Sequence, residues 1–262
     1  MPSRIVTLTT DFGFADHFVG VIKGVILGIC PTARLVDLNH QINPYEIAEA
    51  GFTVAEAYRY FPGKTVHVVV VDPGVGTSRR PILVEAAGQY FLAPDNGVLS
   101  MVFDREKHRV RHVTSEKFFL KPVSQTFHGR DVFAPVAGQL AKGTPAARFG
   151  RLIEDYARLE FHKPVRTGRR FWTGTVLKID RFGNIILNFH ISEFPTVKTG
   201  LFSLAIGAER VTEMAQTFAA CPLGELRLIE GSSGYLEVVA NQASAARRLG
   251  CGVGAPAELT IY

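Results

Sequence analysis

Val66-His67-Val68-Val69-Val70-Val71-Asp72-Pro73-Gly74-Val75-Gly76 is the stretch whose reading decides the fold. Five of its first six residues are valine. A strand with one wet face alternates apolar and polar residues, and this run does not. It therefore reads as a strand buried on both faces, as in a parallel sheet. The run ends abruptly at Asp72-Pro73-Gly74, and two glycines then permit close backbone approach to a ligand. No Lys-Ser/Thr follows, so the segment is not a phosphate loop.

Working outward, strand and helix signals alternate. Ile5–Thr10 is β-rich and ends at Asp11-Phe12-Gly13. Residues 16–29 place Phe18, Ile22, Val25, Ile26 and Ile29 at helical spacing, with Gly28 and Pro31 marking the end. Residues 34–38 read as a second strand. Asn43-Pro44 has the form of a helix start, Asn as cap and Pro at the first helical position, and the helix is expected to reach Tyr60 before Pro62-Gly63. After the valine run come strand signals at 82–86 and 90–93, a turn at Pro94-Asp95-Asn96-Gly97, and a helix at 132–140. This alternation implies an α/β layered domain.

The composition changes between residues 142 and 170, where Gly143, Pro145, Gly150, Pro164 and Gly168 interrupt the pattern. The domain boundary is placed here, giving domains 1–160 and 161–262. Beyond it, short β-rich pieces at 172–179, 185–189, 201–206, 226–229, 235–240 and 258–261 are separated by turn residues, the spacing of a small antiparallel sheet or barrel. One short helix, 242–249, is expected between Asn241 as cap and Gly250 as stop.

The bulk composition is that of a globular protein: 262 residues, 47% hydrophobic and 20% charged. The net charge of +5 is scattered in short pairs such as Arg79-Arg80, Arg169-Arg170 and Arg247-Arg248. No basic stripe for nucleic acid results. Three separated cysteines, Cys30, Cys221 and Cys251, argue against a disulfide scaffold or a cysteine zinc site. The first residues lack a signal-peptide pattern. The longest apolar run falls far short of the ~20 residues a membrane span needs. A soluble cytoplasmic protein is expected.

In an open α/β sheet, ligands sit beyond the carboxyl ends of the strands. Asp11, Asp37 with His40, Asp72 and Asp95-Asn96 fall at such ends. Each alone is equally a turn or cap residue. Clustered Asp and His suit a divalent-metal hydrolase. Against that reading, His17, His40, His67 and His128 are dispersed and show no ligand spacing. Thr126-Phe127-His128-Gly129-Arg130-Asp131 gathers polar groups ahead of a helix, with Asp131 a possible cap. Asp180-Arg181-Phe182-Gly183-Asn184 suits a hairpin turn.

In their order along the chain, Thr9-Thr10-Asp11-Phe12-Gly13, Asn43-Pro44, Val71-Asp72-Pro73-Gly74-Val75-Gly76, Ala93-Pro94-Asp95-Asn96-Gly97, Thr126 to Asp131 and Asp180 to Asn184 resemble the S-adenosylmethionine hydroxide adenosyltransferases, relatives of the fluorinases and chlorinases. The resemblance spans nearly the whole chain. It implies an N-terminal α/β domain with a mostly parallel sheet and a smaller C-terminal antiparallel β-barrel-like domain. It also implies a homotrimer with each active site shared between subunits. The implied reaction is hydrolysis of S-adenosylmethionine to adenosine and methionine, with no metal or other cofactor.

The resemblance further implies roles for residues. Asp11 holds the ribose hydroxyls and Tyr45 packs near the ribose. Asp180 pairs with the methionine ammonium. Phe182 lies against the adenine and Asn184 bonds its edge. Ser232 helps bind the methionine carboxylate, and the backbone at Asn241-Gln242 completes the adenine pocket. Asp72, Arg79 and His128 stand where the hydroxide branch has its acid, Arg and His. Halogenating relatives have a Tyr–Thr pair at the places of Asp72 and Val75, and Asp72 would repel a halide. Gly129 replaces a Ser of the fluorinase, but chlorinases share that Gly. The catalytic expectation is that Arg79 and His128 orient a water, with His128 or the Asp72–Arg79 pair taking its proton. The alternatives are a halogenase of the same fold and a non-catalytic sensor of S-adenosylmethionine or adenosine.

Overall fold

A computed structural model describes residues 4–262; residues 1–3, where the signal-peptide reading begins, lie outside the described residues. The chain divides into two compact units, one ending at Leu159 and one spanning Glu160–Tyr262.

The first unit runs β1 (Ile5–Thr10), α1 (Phe18–Ile29), β2 (Arg34–Asn39), α2 (Ile47–Ala57), β3 (Val66–Val70), β4 (Pro81–Ala86), β5 (Gln89–Pro94), α3 (Ser100–Arg105), β6 (His108–His112), α4 (Ala134–Lys142) and β7 (Leu152–Ile153). The strands form one sheet in the order β2-β1-β3-β5-β4-β6-β7. β2, β1, β3 and β5 are parallel, and β4, β6 and β7 extend the sheet antiparallel. All five residues of β3 are buried, as the unbroken apolar run requires. Val66, Val68 and Val70 pack with Ile22 and Ile26 of α1 and Val136 and Leu140 of α4 on one face. α2 contacts β1, β2 and β3 away from that cluster. Each fully buried Val contributes roughly 1.5–3 kcal/mol over an exposed one.

His67 is the polar exception within β3 and is fully buried. Its Nδ1 meets Thr7 Oγ1 at 2.7 Å and its Nε2 meets Gln89 Oε1 at 3.0 Å. Gln89 Nε2 in turn donates to the Tyr58 and Phe61 carbonyls. The chain of bonds satisfies a neutral ring, and burial pushes the His67 pKa down to about 4.

The second unit contains β8 (Val165–Arg166), β9 (Phe171–Ile179), β10 (Ile185–His190), β11 (Phe202–Ile206), β12 (Glu209–Val211), β13 (Leu226–Glu230), β14 (Tyr235–Ala240), α5 (Ala245–Leu249) and β15 (Pro256–Ile261). Its antiparallel order is β12-β11-β15-β9-β10-β14-β13, with β8 paired to β9. Beyond β12 the chain meets β13. Ala215 N donates to Leu228 O and Leu228 N to Glu213 O, which brings the sheet's two ends together in barrel fashion. Phe189, Leu204, Leu228, Leu236 and Val238 fill the interior.

Three local expectations are corrected. α2 begins at Ile47, not at Asn43-Pro44. Asn43 cannot cap, because its N and Nδ2 both donate to Glu49 Oε2, and Tyr45 takes a left-handed φ of 71° that interrupts any helix. Near residue 132 a π-helical turn, Gly129–Phe133, precedes α4, and Asp131 accepts from Ser124 N and Arg130 instead of capping. The cap of α5 is Ser244, whose hydroxyl accepts from Arg247 N; Asn241 instead donates to the Cys221 carbonyl, while Gly250 ends the helix left-handed. The short elements α3, β6, β7, β8 and β12 carried no sequence signal above their surroundings. Cys30, Cys221 and Cys251 are free, and no described helix is long and apolar enough to cross a membrane.

As pH falls, the unfolded chain protonates His67 near its ordinary pKa, whereas the folded chain resists until about 4. Stability is therefore complete above roughly pH 6.5 and is lost as pH falls toward 4. Urea denaturation at about pH 7 and about pH 4.5 should show the His67→Gln variant losing about 2–3 kcal/mol less over this interval than the parent.

Candidate active site

β1 lies between β2 and β3. The crossover through α1 leads to one side of β1 and the crossover through α2 to the other, so the strand order reverses there. At such a point the helices diverge and leave a crevice beyond the carboxyl ends of the strands. A cleft of about 350 Å³ occupies that place, and Asp11, Tyr45, Asp72 and His128 all line it.

Asp11 follows β1 directly. Its loop is pinned from β2, where Gly13 N donates to the His40 carbonyl at 2.7 Å and Thr10 Oγ1 meets His40 Nδ1 at 2.8 Å. His40 Nε2 lies 3.0 Å from Asp37 Oδ1. The Tyr45 N–H donates to Asp11 Oδ2 at 3.0 Å. That bond needs the left-handed backbone at Tyr45, a conformation costly for a residue with a Cβ and concentrated at functional sites. The Tyr45 ring is exposed at the cleft.

Asp72 follows the valine run. Arg79 Nε donates to Asp72 Oδ1 at 3.0 Å, and Nη2 donates to Oδ2. Both side chains are nearly buried. Arg79 does not line the cleft itself but stands behind Asp72 and also reaches His128, with Nη2 3.1 Å from Nδ1. A guanidinium only donates, so His128 Nδ1 accepts and the neutral ring carries its hydrogen on Nε2. Arg79 Nη1 is buried without a partner among the described residues. Burial pushes the Asp72 carboxyl up, against the opposing pull of Arg79. Burial, reinforced by the Arg79 charge, pushes His128 down and keeps it neutral.

The 72–80 loop is held at both ends by the Pro94–Gly97 turn. Asn96 Nδ2 donates to the Val71 carbonyl at 2.9 Å. Asp95 accepts from Arg80 Nε and Nη2, and Asp95 N returns a bond to the Arg80 carbonyl. Within the loop, Thr77 Oγ1 donates to Gly74 O, and a Cβ at Gly76 would strike the Gln125 carbonyl. Asp95-Asn96 had a strand-end signal in the sequence, but their clamping function had none. Phe12, Phe18 and Phe127 wall the cleft as an edge-to-face aromatic group that apolar periodicity alone did not distinguish from core.

In the second unit, Asp180, Phe182, Asn184, Asn241 and Gln242 line a separate cleft of about 950 Å³ with Phe218. Asp180 closes the β9–β10 turn: Oδ1 accepts from Phe182 N and Asn184 N, and Oδ2 from Asn184 Nδ2. Gly183, at φ 86°, lies where a Cβ would strike Ser244. This tight turn presents the Phe182 ring outward, 78% exposed. Asn184 is buried, so its carbonyl oxygen remains as the free function of its side chain. Gln242 is left-handed at φ 54°. Ser232 sits apart from this lining, on the exposed β13–β14 turn.

Family models for the SAM hydroxide adenosyltransferase N-terminal and C-terminal domains match residues 6–150 and 174–258. The chain is 36% identical over 253 residues to an (R)-S-adenosyl-L-methionine hydrolase from Salinispora tropica, covering 95% of each chain. It is 27% identical over 272 residues to a fluorinase from an Actinoplanes species, covering 91% of each. The crystal structure of an uncharacterized conserved protein from Thermotoga maritima superposes with a TM-score of 0.89 at 36% identity, covering 98% of this chain and 99% of that one.

Removing the Asn96 clamp leaves the buried Val71 carbonyl unpaired. Asn96→Ala should cost about 1–2 kcal/mol by urea denaturation, with faster amide exchange concentrated in residues 72–80. Unchanged exchange there would show that the loop keeps its shape without the clamp.

Proposed function

Because the chain belongs to the SAM hydroxide adenosyltransferase family, we propose that it is an enzyme that hydrolyses S-adenosylmethionine to adenosine and methionine. The observation that carries the reading is the Asp72–Arg79–His128 cluster in the same cleft wall as Asp11. Asp11 accepts from both ribose hydroxyls and sets the position of C5′, with Tyr45 beside the sugar. Arg79 Nη1 and the Nε2–H of His128 donate to one water, leaving its lone pair directed at C5′. As the C5′–O bond forms, the C5′–S bond breaks and its electron pair neutralises the sulfonium. The sulfonium therefore needs neither a metal nor an acid to leave.

His128 Nδ1 is already occupied by Arg79. The proton shed by the attacking water accordingly passes to the Asp72–Arg79 pair, where burial makes the carboxylate more basic. Phe182, Asn184 and the backbone at Asn241-Gln242 take the adenine, and Asp180 and Ser232 take the methionine end. Water is preferred to halide because Asp72 puts a negative charge where an anion would have to sit. Free cysteines are in keeping with a cytoplasmic location.

Arg79→Ala and His128→Ala should each lower kcat by ~10²–10⁴ while leaving KM within a few-fold, measured as adenosine formed by liquid chromatography. Near-normal turnover in both variants would overturn the mechanism. The parent should keep its rate in excess chelator and give no halogenated nucleoside in chloride or fluoride. Tight retention of adenosine without turnover would favour a sensor instead.

The resemblance also supports a homotrimer with sites shared between subunits. Light scattering should then return three times the 28.7 kDa chain mass. Mixing inactive Arg79→Ala and Phe182→Ala proteins should restore part of the activity through mixed trimers.

A further inference from the structure

Glu237 is a carboxylate in a place that does not pay for one. It lies on β14, paired across the sheet with Ile186 of β10 and Ile229 of β13, and is 8% exposed. Among the described residues neither a hydrogen-bond donor nor a cation meets its carboxylate. A buried charge without a partner is costly, and such groups are ordinarily paired or absent. Its acidic neighbour is Asp180, which adds repulsion to the cost of burial, and together these raise the Glu237 pKa to about 7.

The groups around it do not relieve this. Lys178 shares its sheet face, but Ile186 stands between them in the strand register. Arg227 on β13 is engaged by Glu213 and Glu225. His190 of β10 pairs its Nδ1 with Ser192. Asp180 has both oxygens committed to the β9–β10 turn, accepting from Phe182 N, Asn184 N and Asn184 Nδ2. Of the two acids, Glu237 therefore retains the larger unused acceptor capacity.

The backbone also makes room for it. Gly231 opens the β13–β14 turn that carries Ser232, and a Cβ there would collide with the Glu237 carboxylate. The carboxylate thus lies directly against the turn expected to take the amino-acid end of the substrate.

We propose that Glu237 is a substrate-binding residue whose carboxylate is the principal anionic partner of the α-ammonium of S-adenosylmethionine, with Asp180 mainly shaping the turn. This rests on the hydrolase reading above. The ligand class is a primary ammonium, and its arrival supplies the charge and the donors that the free site lacks. Since the partner must be ionised, KM for S-adenosylmethionine falls as pH rises through about 7.

The test uses the full-length enzyme, S-adenosylmethionine, and its analogue with hydrogen in place of the α-ammonium. Adenosine release by the parent establishes the hydrolase reading independently; without it, that reading fails and Glu237 is not the cause. Given turnover, Glu237→Gln should raise KM for S-adenosylmethionine about tenfold or more with kcat nearly unchanged, and should leave KM for the analogue unaltered. Asp180→Asn should have the smaller effect on the ratio of the two KM values. In the parent, KM for S-adenosylmethionine should fall between about pH 6 and about pH 7.5, while KM for the analogue stays flat. This pair of profiles decides the matter even if a variant fails to fold. Equal pH profiles for the two substrates, or equal KM losses for both in Glu237→Gln, would overturn the proposal.

Discussion

Parallel strands cannot be joined by a tight turn, and the first unit of this protein follows from that constraint. Each crossover through α1 or α2 must travel the length of the sheet before returning. Because the two crossovers pass to opposite sides of β1, the chain vacates the space beyond the carboxyl ends of β1 and β3. Neither strand can place apolar side chains there, since the pleat has ended. The first residues past the sheet, Asp11 after β1 and Asp72 after Val71, are consequently the ones that meet the cleft. Everything the site does begins with two carboxylates delivered by adjacent parallel strands.

What distinguishes these acids is how each is committed. Asp11 accepts one backbone bond, from Tyr45, and keeps further lone pairs for a ligand. Asp72 is bound bidentately to Arg79 in a nearly buried pair. The pair's desolvation cost is offset only while its geometry holds, and the Asp95-Asn96 turn supplies that geometry by gripping the loop at Val71 and Arg80. The surplus donor on Arg79 and the tautomer of His128 are both consequences of this packing. A hydrolase of S-adenosylmethionine needs little more, because its leaving group departs neutral and its water needs mainly position.

Much of this was legible in the residues. The unbroken valines announced a doubly buried strand, and the glycines after Asp72 announced a loop. Gly250 announced a helix end, and the turn-separated pieces after residue 170 announced an antiparallel unit. Asn43-Pro44 misled because the same residues that start a helix also build a turn; Glu49, six residues on, captured Asn43 and decided between them. Asn241 lost the α5 cap to Ser244 in the same way, through the Cys221 carbonyl. Local propensity differs by too little between such alternatives, and one long-range hydrogen bond tips the balance.

The sequence alone determined the periodicity, and hence the layers: which residues turn inward depends on side-chain hydrophobicity and on the repeat of strand or helix, both local properties. It also carried, through the order of its motifs, the family to which the chain belongs. Only the tertiary structure decided which polar residues meet. The Asp72–Arg79–His128 contact, the strained Tyr45 amide on Asp11, and the unpartnered Glu237 against Gly231 join residues distant along the chain or separated by whole strands. Their distances and protonation preferences depend on burial and on neighbours from other elements, and these exist only once the sheets have closed.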